Sequence, residues 1–227
     1  MASRVDVIVL APADSRGLLP VAKRALDRGI VVVNIDNRFD RATLADLGIR
    51  IPFVGPDNRD GAYRVGRALA STLEPGDEVA IIGGIPSAYN ARQRAAGFRA
   101  AMEEAGMAVV TAQAADWEQA KAATVASAML NEHPGLDALL CANDNMALGA
   151  VAALRQAGRS DEVAVVGFDN IAAARELIAG GEMVATAEQY GDRLAVFGIE
   201  YALQMLAGDS APADRRTPVD VITADDL

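Results

Sequence analysis

Short apolar runs alternate along this chain with longer stretches in which apolar residues recur every three or four positions. The runs at 5–10, 30–35, 79–82, 108–111, 136–140, 163–166, 184–187 and 218–223 are predicted strands. The 30–35 run is β-branched almost throughout, the mark of a strand buried on both faces. Helices are expected from Asp14 or Ser15 to 28, from Asp57 or Asn58 to just before Pro75-Gly76, and at 88–105, 118–131, 145–157, 172–178 and 192–206. Gly29, Gly106, Gly158 and Gly208 stand just past four of these, where a helix most easily ends. The stretch 38–56 is the least regular.

Strands separated by helices of this length form βαβ units, and so parallel sheets. Eight or nine strands exceed a comfortable single sheet of this kind, which implies two α/β lobes. No Gly/Ser-rich segment separates them, so the crossings between lobes are expected to be short.

Composition narrows the function classes. Of 227 residues 52 % are apolar, enough for a sizeable core and too many for disorder. With 31 acidic and 21 basic residues the net charge is −10, which argues against a nucleic-acid surface. No apolar run reaches the eighteen or so residues of a membrane span. Met1-Ala2-Ser3-Arg4 leads directly into a run too short and too alternating for a secretory leader, so no signal peptide is visible in the chain as given.

Much chemistry is excluded by count. The single cysteine, Cys141, ends an apolar run and reads as a small buried hydrophobe, so neither a disulfide framework nor a cysteine zinc site is available. The single histidine, His133, precedes Pro134-Gly135 and reads as a helix end. Serine–histidine and cysteine–histidine nucleophiles are therefore disfavoured. There is no G-x-G-x-x-G at the first strand–helix turn, no Walker A sequence and no G-x-S-x-G elbow. No catalytic residue, metal site or cofactor is expected, and the chain does not read as an enzyme.

What remains is a set of polar residues at predicted strand ends: Asp36-Asn37, Asn143-Asp144-Asn145, Asp169-Asn170 and Gln189. In open parallel sheets that is where ligands bind. Each alone reads equally well as a helix cap. Arg92 and Arg94 lie two apart and so on different faces of one helix, leaving one for a ligand and one for solvent. Gly97 permits close packing, and Phe98 belongs to the core. Trp117, the only tryptophan, precedes a helix; it serves either as a hydrophobic staple or as a flat wall for a sugar ring. Together these suit a small, neutral, hydroxyl-rich ligand.

The strings Arg94-Ala95-Ala96-Gly97-Phe98, Ala142-Asn143-Asp144-Asn145-Met146-Ala147-Leu148-Gly149, Val165-Val166-Gly167-Phe168-Asp169 and Ala185-Thr186-Ala187-Glu188-Gln189 closely resemble the ribose-type sugar-binding proteins of the type I periplasmic binding protein family. Pro12-Ala13-Asp14 and Ile35-Asp36 match that family's earlier strand ends. The resemblance implies two Rossmann-like lobes joined by a hinge, 1–56 with 190–217 and 57–189 with 218–227. It implies a sugar or polyol held between them, a closed form read by an ABC-transporter permease, and a periplasmic location. The same fold serves as the effector domain of LacI-type regulators, which is the alternative reading. The matching contact positions are Asp36, Asn37, Arg94, Trp117, Asn143, Phe168, Asp169 and Gln189. Charge-assisted bonds would come from Asp36, Arg94 and Asp169, neutral ones from Asn143 and Gln189, and apolar walls from Trp117 and Phe168. Asn37 stands where ribose binders often carry arginine, and Ala11 where Asn or Ser is common; both point away from ribose itself. Family members begin roughly 50 residues earlier, more than one βαβ unit of about 30. The first lobe is accordingly expected to be incomplete, and the chain truncated at its front.

Overall fold

The computed structural model describes residues 5–209 and 212–227; Met1–Arg4, and Ser210 and Ala211 within the 190–217 stretch, lie outside the described residues. The elements run β1 (Val7–Leu10), α1 (Leu19–Leu26), β2 (Val31–Ile35), α2 (Arg41–Asp46), β3 (Phe53–Pro56), α3 (Asn58–Ala70), β4 (Glu78–Gly83), α4 (Tyr89–Glu104), β5 (Ala108–Ala114), α5 (Gln119–Glu132), β6 (Leu136–Cys141), α6 (Asp144–Ala157), β7 (Ala164–Val166), α7 (Ala172–Ala179), β8 (Thr186–Glu188), α8 (Gly191–Leu206), β9 (Arg215–Thr217) and β10 (Asp220–Ile222). A short 3-10 turn, Ala224–Asp226, follows. The chain divides into two compact units. It is an α/β fold with parallel sheets in two lobes.

Unit 1 comprises residues up to Asp57, Ser87–Asn90 and Tyr190–Pro218. Its sheet has the order β1-β2-β3-β9, parallel throughout. Leu19, Ala22 and Ala25 of α1 pack with Val32, Phe39 and Ile51. Gly198 lets α8 approach the sheet, since a Cβ there would sit 2.8 Å from Ile35 and 2.9 Å from Val9. Ser87–Asn90 is tied to this unit by its backbone: Tyr89 N–H donates to Ser15 Oγ at 2.8 Å, and Asn90 N–H to Asn37 Oδ1 at 3.2 Å.

Unit 2 comprises Asn58–Pro86, Ala91–Gln189 and Val219–Leu227. Its main sheet has the order β5-β4-β6-β7, all parallel, while β8 and β10 form an antiparallel pair. β4 and β6 are almost wholly buried, as continuous apolar strands between helical layers must be. Two glycines set the helix packing. A Cβ on Gly149 would run into the Gln119 carbonyl oxygen, so α6 lies directly on α5. A Cβ on Gly97 would run into the Arg59 carbonyl oxygen, so α4 lies directly on α3. The second contact carries Arg94, one turn away, to the start of α3.

Several elements differ from the sequence expectation. The first helix begins at Leu19, because the Asp14 carboxylate accepts from the backbone N–H groups of Arg16 and Gly17, at 2.7 and 2.6 Å, and closes a turn instead. The irregular stretch 38–56 contains α2, capped by Asp40 accepting from Thr43 N–H at 3.0 Å, and the buried strand β3. The strand β9, Arg-Arg-Thr, is polar and was not expected. No helix among the described residues is long and apolar enough to cross a membrane.

Candidate functional site

Arg94 is 2 % exposed, on the second turn of α4. A buried guanidinium needs acceptors for its five N–H groups, and four contacts supply them within unit 2. Its Nε donates to Asn58 Oδ1 at 2.8 Å, and its Nη1 to the Ala142 carbonyl at 2.9 Å. Nη1 also reaches Asp169 Oδ1 at 3.1 Å, and Nη2 donates to Gln189 Oε1 at 3.2 Å. Gln189 Nε2 in turn donates to the same Asp169 oxygen at 2.8 Å. The guanidinium lies 3.7 Å from the centroid of the Phe168 ring and 5.7 Å from that of Trp117. Arg92, by contrast, is exposed.

The loops that present these groups are strained. Among the described residues, the non-glycine positions with positive φ are Asp36, Asp116, Trp117, Asp169, Asn170 and Tyr190. All follow strand ends: β2, β5, β7 and β8. Asp169, at φ 115°, is furthest from the ordinary regions. Backbone in such conformations persists only where the surroundings hold it, and it gathers at binding sites.

Asp144 supplies much of that hold. Its buried carboxylate accepts the Thr186 hydroxyl at 2.7 Å and the Ile171 backbone N–H at 2.9 Å, bracketing the Asp169 loop. Its own N–H donates to the Phe168 carbonyl at 2.7 Å. Burial pushes its acidity toward the neutral form, opposed by those hydrogen bonds and by Arg94. Gly167 is required beside it, because a Cβ there would collide with the Asp144 carboxylate. Gly84 plays the same part for Trp117, whose indole occupies the space a Cβ would take.

The structure gathers Arg94, Phe168, Asp169 and Gln189 into one cluster with Trp117 at its side. Phe168 is fully buried, so it is the floor beneath Arg94 and not the open wall expected of it. Asn143 Oδ1 caps α6 by accepting from Met146 N–H at 2.9 Å, which leaves its amide nitrogen for any ligand contact. In unit 1, Asp36 ends β2 with its N–H on the Val54 carbonyl at 3.0 Å. Asn37 is 3 % exposed and works as scaffold: its Nδ2 donates to the Pro12 carbonyl at 2.8 Å and its Oδ1 accepts from Asn90 N–H. Sequence reasoning missed Thr186 and the side-chain role of Asn58, whose parts depend on what the fold places opposite them. The strand-end polar pattern did flag Asp144, though only as one of several possible caps.

Cys141 ends β6 fully buried, and burial, with the Asp144 carboxylate adding to it, pushes its thiol far up from its usual range. A thiol-titrating disulfide reagent should therefore find nothing in the native protein and one group after denaturation in guanidinium. Rapid native labelling would contradict this burial.

A periplasmic binding protein domain pattern matches residues 1–210. The D-ribose/D-allose-binding protein of Pseudomonas aeruginosa is 55 % identical over 226 residues, 98 % of this chain and 71 % of the relative. The chain belongs to the periplasmic binding protein family. Among solved structures, an ABC transporter solute binding protein from Burkholderia multivorans superposes on this binding protein with a TM-score of 0.94 at 54 % identity, covering 96 % of this chain and 78 % of the other. Another, from Actinobacillus succinogenes and bound to D-allose, superposes with a TM-score of 0.92 at 32 % identity, covering 98 % and 78 %. The family is one of binding proteins and not of catalysts.

Proposed function

We propose that this protein binds a monosaccharide and presents it to an ABC-transporter permease on the periplasmic side of the membrane. The observation that carries the reading is the Arg94–Asp169–Gln189 cluster stacked on Phe168. Arg94 is locked by its buried partners, while the Asp169 side chain keeps 26 % of its surface open. Fixed donors and acceptors beside a half-buried indole suit vicinal hydroxyls and the C–H face of a sugar ring. Asp36 and the Asn143 amide nitrogen are assigned as further contacts, and Asn37 as support for the loop that carries Asp36.

D-Allose and D-ribose are the leading candidates, because the relative at 55 % identity is named for both. That relative and the two solved structures are named as binding proteins, which favours transport over a regulator's effector domain. A thermal-shift panel of D-allose, D-ribose, D-glucose and myo-inositol tests the reading. Ligand at a thousandfold its Kd stabilises by about 4 kcal/mol, a rise of roughly 8–16 °C in Tm. Emission from Trp117 is expected to change with the same titration midpoint. Absence of a shift with every sugar, together with flat emission, would reject the proposal.

A further inference from the structure

We infer that Asn58 is the positioning residue that sets how firmly Arg94 grips its ligand; this rests on the sugar-binding reading above. Asn58 is the first residue of α3 and the first of unit 2 after the chain leaves unit 1 at Asp57. It is 2 % exposed, and its Oδ1 is the acceptor for Arg94 Nε.

A guanidinium stacked on a ring is fixed in tilt but can still turn or slide in its own plane. Two anchored nitrogens remove that freedom. In Arg94 the anchors are Nε on Asn58 and Nη1 on the Ala142 carbonyl, at 2.8 and 2.9 Å. The remaining contacts, to Asp169 and Gln189, are on the side chains assigned to the ligand. Without Asn58, the buried Nε–H loses its acceptor, and one of the two anchors that fix the group in its own plane against Asp169 and Gln189 is gone. The loss then appears as poorer preorganisation for the sugar and not as a missing sugar contact.

The close contact of α4 with α3 at Gly97 places the two side chains together. An asparagine opening a helix is ordinarily read as a cap. The distinction from a cap gives the test. Asn58→Ser keeps a residue that starts helices well but is too short to reach Nε. Asn58→Asp keeps the acceptor, and its charge is favourable at a helix N-terminus.

Affinity for D-allose and D-ribose is measured by calorimetry for the wild type, Asn58→Ala, Asn58→Ser and Asn58→Asp, with thermal unfolding alongside. Alanine and serine are both expected to weaken binding about tenfold, and aspartate to recover it to within about threefold. The serine variant, chosen to spare the helix start, keeps the test available should alanine impair folding. Wild-type affinity in the serine variant would overturn the inference while leaving the sugar reading intact. So would an aspartate variant as weak as serine. A wild-type protein that binds no sugar would overturn both.

Discussion

Replacing Arg94 with alanine is expected to weaken sugar affinity about a hundredfold, roughly 3 kcal/mol. The direct loss is one set of charge-assisted hydrogen bonds to the ligand. The indirect loss is larger than for an exposed arginine, because Arg94 organises its neighbours. Without it Asp169 loses its ion-pair partner and Gln189 Oε1, the Ala142 carbonyl and Asn58 Oδ1 each lose a donor, and the Phe168 ring is uncovered. A carboxylate left beside a vacated buried position is also penalised by desolvation. Lysine cannot substitute, since it has neither the planar fork nor an Nε donor. Arg94→Lys should therefore lie much nearer alanine than wild type. Calorimetry on folded variants decides it, and a loss below threefold in Arg94→Ala would remove Arg94 from the site.

Much of this arrangement was legible in the chain, and the misses have physical causes. β2, β4 and β6 are continuous apolar strands, whose pattern is strong because both faces are buried. β3 was hidden by its Gly55-Pro56 end and its length of four residues. β9 was hidden by its arginines: Arg215 lies over Phe197 at 3.4 Å and pairs with Glu200, so its polar groups face α8 and not a core. α2 buries none of its residues and so has no apolar face to read.

The site was legible to a different depth. Position at a strand end singled out Asp36 in unit 1 and Asn143, Asp169 and Gln189 in unit 2, because that is where such sheets present polar groups. What each side chain does there was not readable. Asn37 and Phe168 have the right addresses, yet they spend their surfaces on the protein itself. Asn58 and Asp144 read as ordinary helix starts because a cap and a positioning residue have the same local sequence. The strained dihedrals are the more telling signal, and they exist only in the folded backbone. Aspartate and asparagine tolerate positive φ, so their clustering after β2 and β7 fits that constraint as well as it fits hydrogen bonding to a ligand.

Loss of Asp144 should disturb the Asp169 loop most, because its carboxylate brackets that loop. Asp144→Ala removes the acceptor for the Thr186 hydroxyl and the Ile171 N–H, both within buried structure. Two donors left without acceptors cost about 2–3 kcal/mol in all, and Tm should fall by roughly 5–10 °C. Sugar affinity should fall with it, because Asp169 at φ 115° has no reason to stay there once the bracket is gone. Asp144→Asn should behave differently. Its oxygen can accept from Ile171 while its nitrogen donates to Thr186, so most of the stability is kept. The pH dependence separates charge from hydrogen bonding. Burial raises the Asp144 pKa in the folded state, so folding favours its protonated form. Its contribution is thus most favourable below the unfolded aspartate pKa, and it declines as pH rises through the folded value. The stability of wild type relative to Asp144→Asn should accordingly be greatest in acid and decrease toward neutral pH. A difference that instead grows with pH would mean that the ionised carboxylate, held by Arg94 and its hydrogen bonds, outweighs its desolvation.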